Sequence, residues 1–544
     1  MSVAPAPSIG RRHDLDALRA IAMLLGIALH GMISFIPSIG PGWAVQDTQT
    51  SSAFAIAMGA IHGFRMPLFF LISGFFTMML LRKRGMVALL KHRFKRIFLP
   101  LVLGMFTIIP AVWAVSIYVS IMGERSAAAE VEPSGSSLNA GSQSGWLAAA
   151  SGDADGLRAW IEAGGDVGHR EDDGSTALHG AFLFGRSETA LILIDSGADP
   201  KALNNRNESC IDMLNAPWGI TAWVAGLVKV NVDEDEVLAG RAEISEQLEF
   251  PPAPEMARQE SESNWLFFAL FKFPVTGHLW FLWFLCWLIG GFSVCIALGR
   301  AMRIPRPASW LSASLFRYAW VIPLTMIPQA FMEGEGVGFG PDTSIGLLPM
   351  PVVLAYYAVF FGFGAMYFDS TAGEPDAEPS GVRSWIAVLV SLGVLFPIGL
   401  AFGSSHDGFG RLVSVFVQAS FAWLMTFGLM GLFGQVLSRE SKAMRYLSDS
   451  SYWLYLAHIP VIIFVQYLVC DFPVSAFIKF PVVCAVTSVV LLISYQLFVR
   501  YTPIGTLLNG ERTRGGPVAP VKDSGPLEPP AGVQSPSPFE GNPA

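Results

Sequence analysis

Charge is scarce in this chain. Asp, Glu, Lys and Arg make up 14% of its 544 residues, 52% are hydrophobic, and the mean hydropathy is +0.48. That balance excludes a soluble globule of this length and implies a polytopic membrane protein. Cysteine is also sparse: Cys286, Cys295, Cys470 and Cys484 lie in apolar runs, and Cys210 stands alone. They are too scattered for a disulfide framework, and none has the CxxC or Cys/His spacing of a zinc site, so no metal is implied. The basic residues form short clusters and no continuous stripe, and the net charge is -8, which argues against nucleic acid as a partner. No small-residue cleavage pattern follows the first apolar run, so Leu15 to Ile36 reads as a retained span and not a signal peptide.

That first span opens with charge and ends on a lone histidine, RRHDLDALRAIAMLLGIALH from Arg11 to His30. Arg19 and His30 are eleven residues apart, which in an α-helix is about three turns and about 16 Å, so they share one face. Exposing either to lipid costs several kcal/mol, so the shared stripe is expected to face a protein interior or a watery cavity. The second apolar run, Ala53 to Leu81, carries HGFRMPLFFLISGF, with His62 and Arg65 on one face and Pro67 positioned to kink the helix. Arg65 has too long an apolar flank to sit at an interface. Arg82 to Arg96 then holds seven Lys or Arg and no acid, which predicts a cytoplasmic loop and a cytoplasmic N-terminus, before a third span from Ile97 to about Ile121.

From 122 to 264 the composition changes. Glu124 to Ser144 is an Ala/Ser/Gly/Glu-rich linker, and from Trp146 to Trp218 Gly152 and Gly185, Gly164 and Gly197, and Asp166 and Asp199 recur at a period of 33. The stretch DDGSTALHGAFLFGRSETALILIDSGADPKA resembles an ankyrin repeat, with Ser175 to His179 in the TPLH-like place. Ankyrin repeats bind protein partners, so His169 and His179 read as structural, His179 ordering its turn. An acidic linker with DEDE at Asp233 to Glu236 follows, and Trp218 to Val230 is too short to span a bilayer.

Apolar runs resume at His278–Leu298, Trp310–Pro328, Ile345–Phe368, Trp385–Phe402, Leu412–Leu437, Ser451–Cys470 and Phe480–Val499. The expected fold is all-α, a polytopic bundle of about ten transmembrane helices: three in 1–121 and the rest in 265–500, with a small helical insert between and a disordered tail at 501–544. Loop charge alternates, with Arg300, Arg303 and Arg306 on one side, Glu333, Glu335 and Asp342 on the other, and Arg439, Lys442 and Arg445 back on the first. Both termini are therefore expected in the cytoplasm and the insert outside it.

Several phrases now combine. The Arg19-x10-His30 pair, Arg93-x-x-Arg96 before the third span, FRMPLFFLISGFF, HLWFLWFL from His278 and SDSSYWLYLAH ending at His458 stand in an order that resembles the membrane-bound acyltransferase-3 family, closest to its periplasmic glucan succinyltransferase-like subgroup. The resemblance implies an enzyme of the inner (plasma) membrane that moves an acyl group, of acetyl or succinyl class, from cytoplasmic acyl-CoA to a hydroxyl of an extracytoplasmic carbohydrate or glycan. Acyl-CoA is then a co-substrate, and no cofactor is bound permanently. The partners implied are the lipid bilayer, acyl-CoA, the carbohydrate acceptor and a protein partner for the insert.

Within that frame His30 can act as general base and Arg19, nearer the cytoplasm, can hold the donor. Arg93 and Arg96 can pair with coenzyme A phosphates or serve only as topogenic charge. His278 can line the site or anchor an aromatic belt. Ser451, Tyr455 and His458 share one helical face and can line the cavity with His62 and Arg65, though His458 reads equally as a packing residue. The alternative function is a transporter or channel gated through the insert, but no repeat relates the two halves of the membrane region.

Overall fold

A computed structural model describes residues 13–37, 43–129, 145–171, 174–204, 208–216, 218–228, 230–248, 267, 270–271, 273–305, 307–332, 338–371, 381–403, 405, 408–437 and 441–510. The elements are helices: α1 His13–Ile33, α2 Ser52–Arg93, α3 Leu99–Ala129, α4 Gly145–Ser151, α5 Ala154–Glu162, α6 Ala177–Leu183, α7 Ser187–Asp195, α8 Cys210–Met213, α9 Trp218–Val228 and α10 Glu234–Gln247. The second half contributes α11 Trp280–Ala301, α12 Trp310–Ala313, α13 Arg317–Ala330, α14 Pro351–Thr371, α15 Gly381–Val390, α16 Phe396–Ala401, α17 Gly408–Val436, α18 Lys442–Val469, α19 Ala476–Ser494 and α20 Pro503–Asn509. Eight helical stretches among the described residues are long and apolar enough to cross a membrane. The molecule is an all-helical, multi-pass membrane protein.

One of the eight, Ser52–Met122, is two crossings. Thr77 and Arg93 would lie about 24 Å apart on a straight helix, yet Arg93 Nη2 donates to Thr77 Oγ1 at 2.9 Å. The chain therefore doubles back between them, and it does so at Gly85, whose φ of 77° is the only non-helical backbone within α2. Pro67, expected to kink the helix, lies within backbone that stays helical.

The expected span Trp310–Pro328 is corrected. Ser314 leaves helical geometry, and the run splits into the four-residue α12 and the 14-residue α13. At 1.5 Å per residue α13 is only about 21 Å long, short of the hydrocarbon core. Its first residue, Arg317, is buried with its guanidinium 4.0 Å from the Phe427 ring.

The crossing of α2 and α14 sets the centre of the bundle. A Cβ on Gly74 of α2 would lie 1.9 Å from the Phe361 carbonyl of α14, and one on Gly364 would lie 1.9 Å from the Leu71 carbonyl of α2. The two backbones touch because neither residue has a side chain, the small-residue packing that membrane helices favour. Around them Phe70, Tyr357, Trp280 and Phe284 interlock, with ring centroids of Phe70 and Tyr357 4.4 Å apart. Helix α18 packs on α1, α3 and α19, and its His458 meets His30 of α1.

The insert has its own core, built from Ala148, Leu157, Leu178, Phe182, Ala190, Leu193 and Cys210. Its glycines at the 33-residue period share backbone geometry: Gly152 and Gly185 have φ of 80° and 60°, and Gly164 and Gly197 have 89° and 91°. His179 Nδ1 accepts from Thr176 N at 3.0 Å, so the histidine does order its turn. The acidic linker expected at Asp233 to Glu236 is the start of α10, with Asp233 as N-cap. Helix α10 buries Val237, Arg241 and Ile244, and Arg241 donates to Ala216 O at 2.6 Å and Thr221 Oγ1 at 2.7 Å. The tail expected to be disordered from 501 instead begins with α20. Arg306, Glu333, Glu335, Arg439, residues 130–144 of the first linker and residues 511–544 lie outside the described residues.

Candidate active site

Two cavities lie along α1, and Phe281 and Tyr455 wall both. The first, of about 430 Å³, surrounds the N-terminal half of α1 and is lined by Asp16, Arg19, Arg93, Arg96, Ser451 and Tyr452 among others. The second, of about 260 Å³, surrounds the C-terminal half and is lined by His30, His62, Arg65, His278 and His458. All ten residues singled out from the sequence thus border one chamber or the other, with the stripe Ser451, Tyr455, His458 running from the arginine chamber to the histidine chamber.

In the histidine chamber, backbone carbonyls fix the histidine tautomers, because a carbonyl can only accept. His30 Nδ1 lies 2.8 Å from Gly26 O, so Nδ1 carries the proton. His458 Nδ1 lies 2.8 Å from Tyr455 O and is likewise protonated, which leaves its Nε2 lone pair facing His30 Nδ1 at 3.1 Å. The His30 proton is therefore shared between Gly26 O and His458 Nε2. His30 Nε2 keeps its lone pair and has no partner among the described residues, the state a general base needs. His278 Nε2 donates to Leu456 O at 3.0 Å, and His62 Nε2 donates to Pro341 O at 2.7 Å. Tyr455 Oη donates to His278 O at 2.8 Å, which ties the wall between the chambers to the turn Gly277–Leu279.

The sequence reading missed the clamp behind His30. Trp43 lies parallel to the His30 ring, with centroids 6.1 Å apart, and donates through Nε1 to Gln466 Oε1 at 2.9 Å. Gln466 Nε2 in turn donates to the carbonyls of His30 and Gly31 at 3.1 and 3.2 Å. The Trp43 loop is pinned by Lys479, which meets Asp47 at 2.9 Å with both side chains buried, and also donates to Cys470 O. A signal was present: a lone lysine in AFIKFPVV and a lone glutamine in IIFVQYLV both need partners in a membrane.

In the arginine chamber the two guanidinium groups are used differently. Arg93 Nη2 bonds Thr77, and its Nε is buried without a partner. Arg96 Nη1 donates to Thr506 O and Leu507 O at 3.1 and 2.9 Å, capping the C-terminal end of α20. Tyr452 Oη fastens this corner by donating to Arg96 O at 2.7 Å. Arg19 lies over the Phe76 ring at 5.9 Å. The chamber thus gathers three arginines, a setting suited to phosphate oxygens.

Comparison with known proteins agrees with this architecture. The profile described as an acyltransferase domain matches residues 12–126 and 218–499, more than half of the chain, and leaves out most of the insert. Proteins named Glucans biosynthesis protein C from Salmonella paratyphi B, Salmonella heidelberg and Salmonella schwarzengrund are each 40% identical over 110 residues, 20% of this chain. The chain spans about a quarter of the length of these curated relatives, 26%. No solved structure matches.

Proposed function

The chain belongs to the acyltransferase-3 family, and from that premise we propose that it is an integral membrane O-acyltransferase taking an acyl group of acetyl or succinyl class from acyl-CoA. The acceptor in this reading is a hydroxyl of a carbohydrate or glycan on the far side of the membrane. The observation that carries it is the pair of chambers on α1, one cationic and one lined by four histidines, with Phe281 and Tyr455 as their common wall.

Arg19, Arg93 and Arg96 hold the donor's phosphates in the first chamber, and the thioester reaches past Tyr455 toward His30. His30 Nε2 takes the acceptor hydroxyl proton as the oxygen attacks the thioester carbon; the C–S bond then breaks, and the proton passes to the departing thiolate. His458 Nε2 accepts from His30 Nδ1–H throughout, so it favours the imidazolium form of the base. The glucan in the relatives' name supports a carbohydrate acceptor. The recurring helix pairs support an ankyrin-type insert that binds a protein partner outside the cytoplasm, with both termini inside and the chain in the plasma membrane.

The test is transfer by purified protein in detergent or nanodiscs, with labelled acetyl- and succinyl-CoA and a glucan acceptor. Label should enter the glucan, and His30→Gln should remove it, since a general base contributes about 10² to 10⁴ in rate. A transporter would move solute without consuming thioester and would tolerate His30→Gln. If His30→Gln keeps more than about a tenth of wild-type transfer, the base is another residue.

A further inference from the structure

We propose that Arg65 takes up the negative charge that forms on the thioester carbonyl oxygen during transfer. This rests on the acyltransferase reading and assigns a second catalytic residue to the same chamber. Arg65 stands three residues after His62 on α2 and borders the histidine chamber. Its Nε is shut off from solvent without a partner, and it makes no hydrogen bond or ion pair among the described residues.

Other arginines with an enclosed Nε keep a partner through the rest of the guanidinium: Arg241 bonds the Ala216 carbonyl and Thr221, Arg317 lies on the Phe427 ring and bonds Ser312 O, and Arg93 bonds Thr77. Nothing comparable meets Arg65: among the described residues the chamber is lined by histidines, apolar and aromatic side chains, Thr343 and Tyr455, and by no Asp or Glu. A guanidinium kept out of water without a hydrogen-bond partner or a counter-charge is costly, and a negatively charged ligand in the chamber would offset that cost.

The placement of Arg65 says which charge. A Cβ on Gly26 would lie 2.2 Å from Arg65 Nη1, so the guanidinium rests on the α1 backbone where a side chain would stand. The Gly26 carbonyl is also the acceptor that orients His30. One turn of α1 therefore sets both the base and the cation. A thioester carbonyl and a neutral hydroxyl bring no charge to the reacting centre in the ground state. As the acceptor oxygen bonds to the carbonyl carbon, its proton moves to His30 Nε2 and the C=O π pair moves onto oxygen. Arg65 pairs with that oxyanion until the C=O bond re-forms and the C–S pair leaves with the thiol, which takes the proton from His30. The interaction exists only in the transition state and intermediate, so it accelerates the chemistry without tightening substrate binding.

The experiment compares Arg65→Met, Arg65→Lys and Gly26→Ala with wild type, using acetyl-CoA and succinyl-CoA as separate donors and the thermal midpoint as a second readout. Arg65→Met should lower kcat for both donors by about 10² to 10³ with donor KM unchanged. Its midpoint should stay equal or rise, because an unpaired cation has been removed, whereas a structural arginine would lower it. Arg65→Lys should recover part of kcat, and Gly26→Ala, which displaces the guanidinium without deleting it, should lose kcat alone. Should Arg65→Met fail to fold, the kcat values of Arg65→Lys and Gly26→Ala decide the matter. Retention of more than about a tenth of kcat in Arg65→Met overturns the assignment. So does a loss confined to KM for succinyl-CoA, which would make Arg65 a carboxylate receptor. Wild-type protein that consumes no thioester overturns the acyltransferase reading itself, whereas active wild type with unaffected arginine variants overturns only this assignment.

Discussion

His30 takes its orientation from four places in the chain: its own helix turn at Gly26, the ring of His458, the amide of Gln466 and the face of Trp43. His458→Phe should leave donor KM unchanged and lower kcat by about tenfold or more, since it removes the acceptor that supports imidazolium; steady-state kinetics with each substrate varied checks this. The Lys479–Asp47 pair behind them makes a different prediction. Lys479→Met leaves a buried carboxylate without its cation and should cost about 3 to 5 kcal/mol, while Lys479→Met combined with Asp47→Leu should recover most of it. Thermal unfolding of both variants and their parent measures the difference, and equal midpoints for single and double variants would refute the pairing. Arg19 and His30 were legible in the sequence because eleven residues of one helix place them on one stripe. Trp43 and Gln466 were not, because they are 423 residues apart and only the fold brings them together.

Helix crossings without side chains leave no room for adjustment. Gly364→Ala would set a methyl 1.9 Å from the Leu71 carbonyl, and a backbone oxygen cannot swing away as a side-chain tip can. The variant should force α2 and α14 apart and lower the yield of folded protein, read as the monodisperse fraction in size-exclusion chromatography; an unchanged profile would show that the crossing can yield. In the insert, burial pushes the Cys210 thiol up from 9.0 to about 11. The folded state thus holds this proton more tightly than the unfolded state, so the contribution is intact below about pH 9 and lost as pH rises through about 11. Unfolding of the insert followed from pH 8 to 11 should show stability falling over that window, and Cys210→Ala should flatten the fall. The spans were legible because long apolar runs have few other solutions in lipid. Trp310–Pro328 misled because hydropathy counts composition and not the backbone turn at Ser314. Helix α10 was hidden by its acids, although Val237, Arg241 and Ile244 stand at i, i+4 and i+7, a helical stripe that was there to be read.

Across the whole molecule, connectivity assigns sides before any charge rule does. Helix α1 runs from the arginine chamber to the histidine chamber, α2 returns to the turn at Gly85, and α3 crosses again before the insert begins. The insert therefore emerges on the side where the histidine chamber lies, and the basic turn Arg82 to Arg84 lies on the side of the arginine chamber. The positive-inside rule then predicts that the second side is cytoplasmic. The two sides can be tested together in a cysteine-free background carrying either Ser142→Cys in the insert linker or Lys83→Cys in the exposed basic turn. A membrane-impermeant maleimide should label Ser142→Cys in intact cells and Lys83→Cys only after permeabilisation. The reverse pattern would invert the molecule and put the histidine chamber in the cytoplasm, which would remove the extracytoplasmic acceptor from the proposed reaction. Labelling of both positions from one side would mean that the reversal at Gly85 does not bring the chain back across the bilayer. That second outcome would contradict the Thr77–Arg93 hydrogen bond on which the three crossings rest.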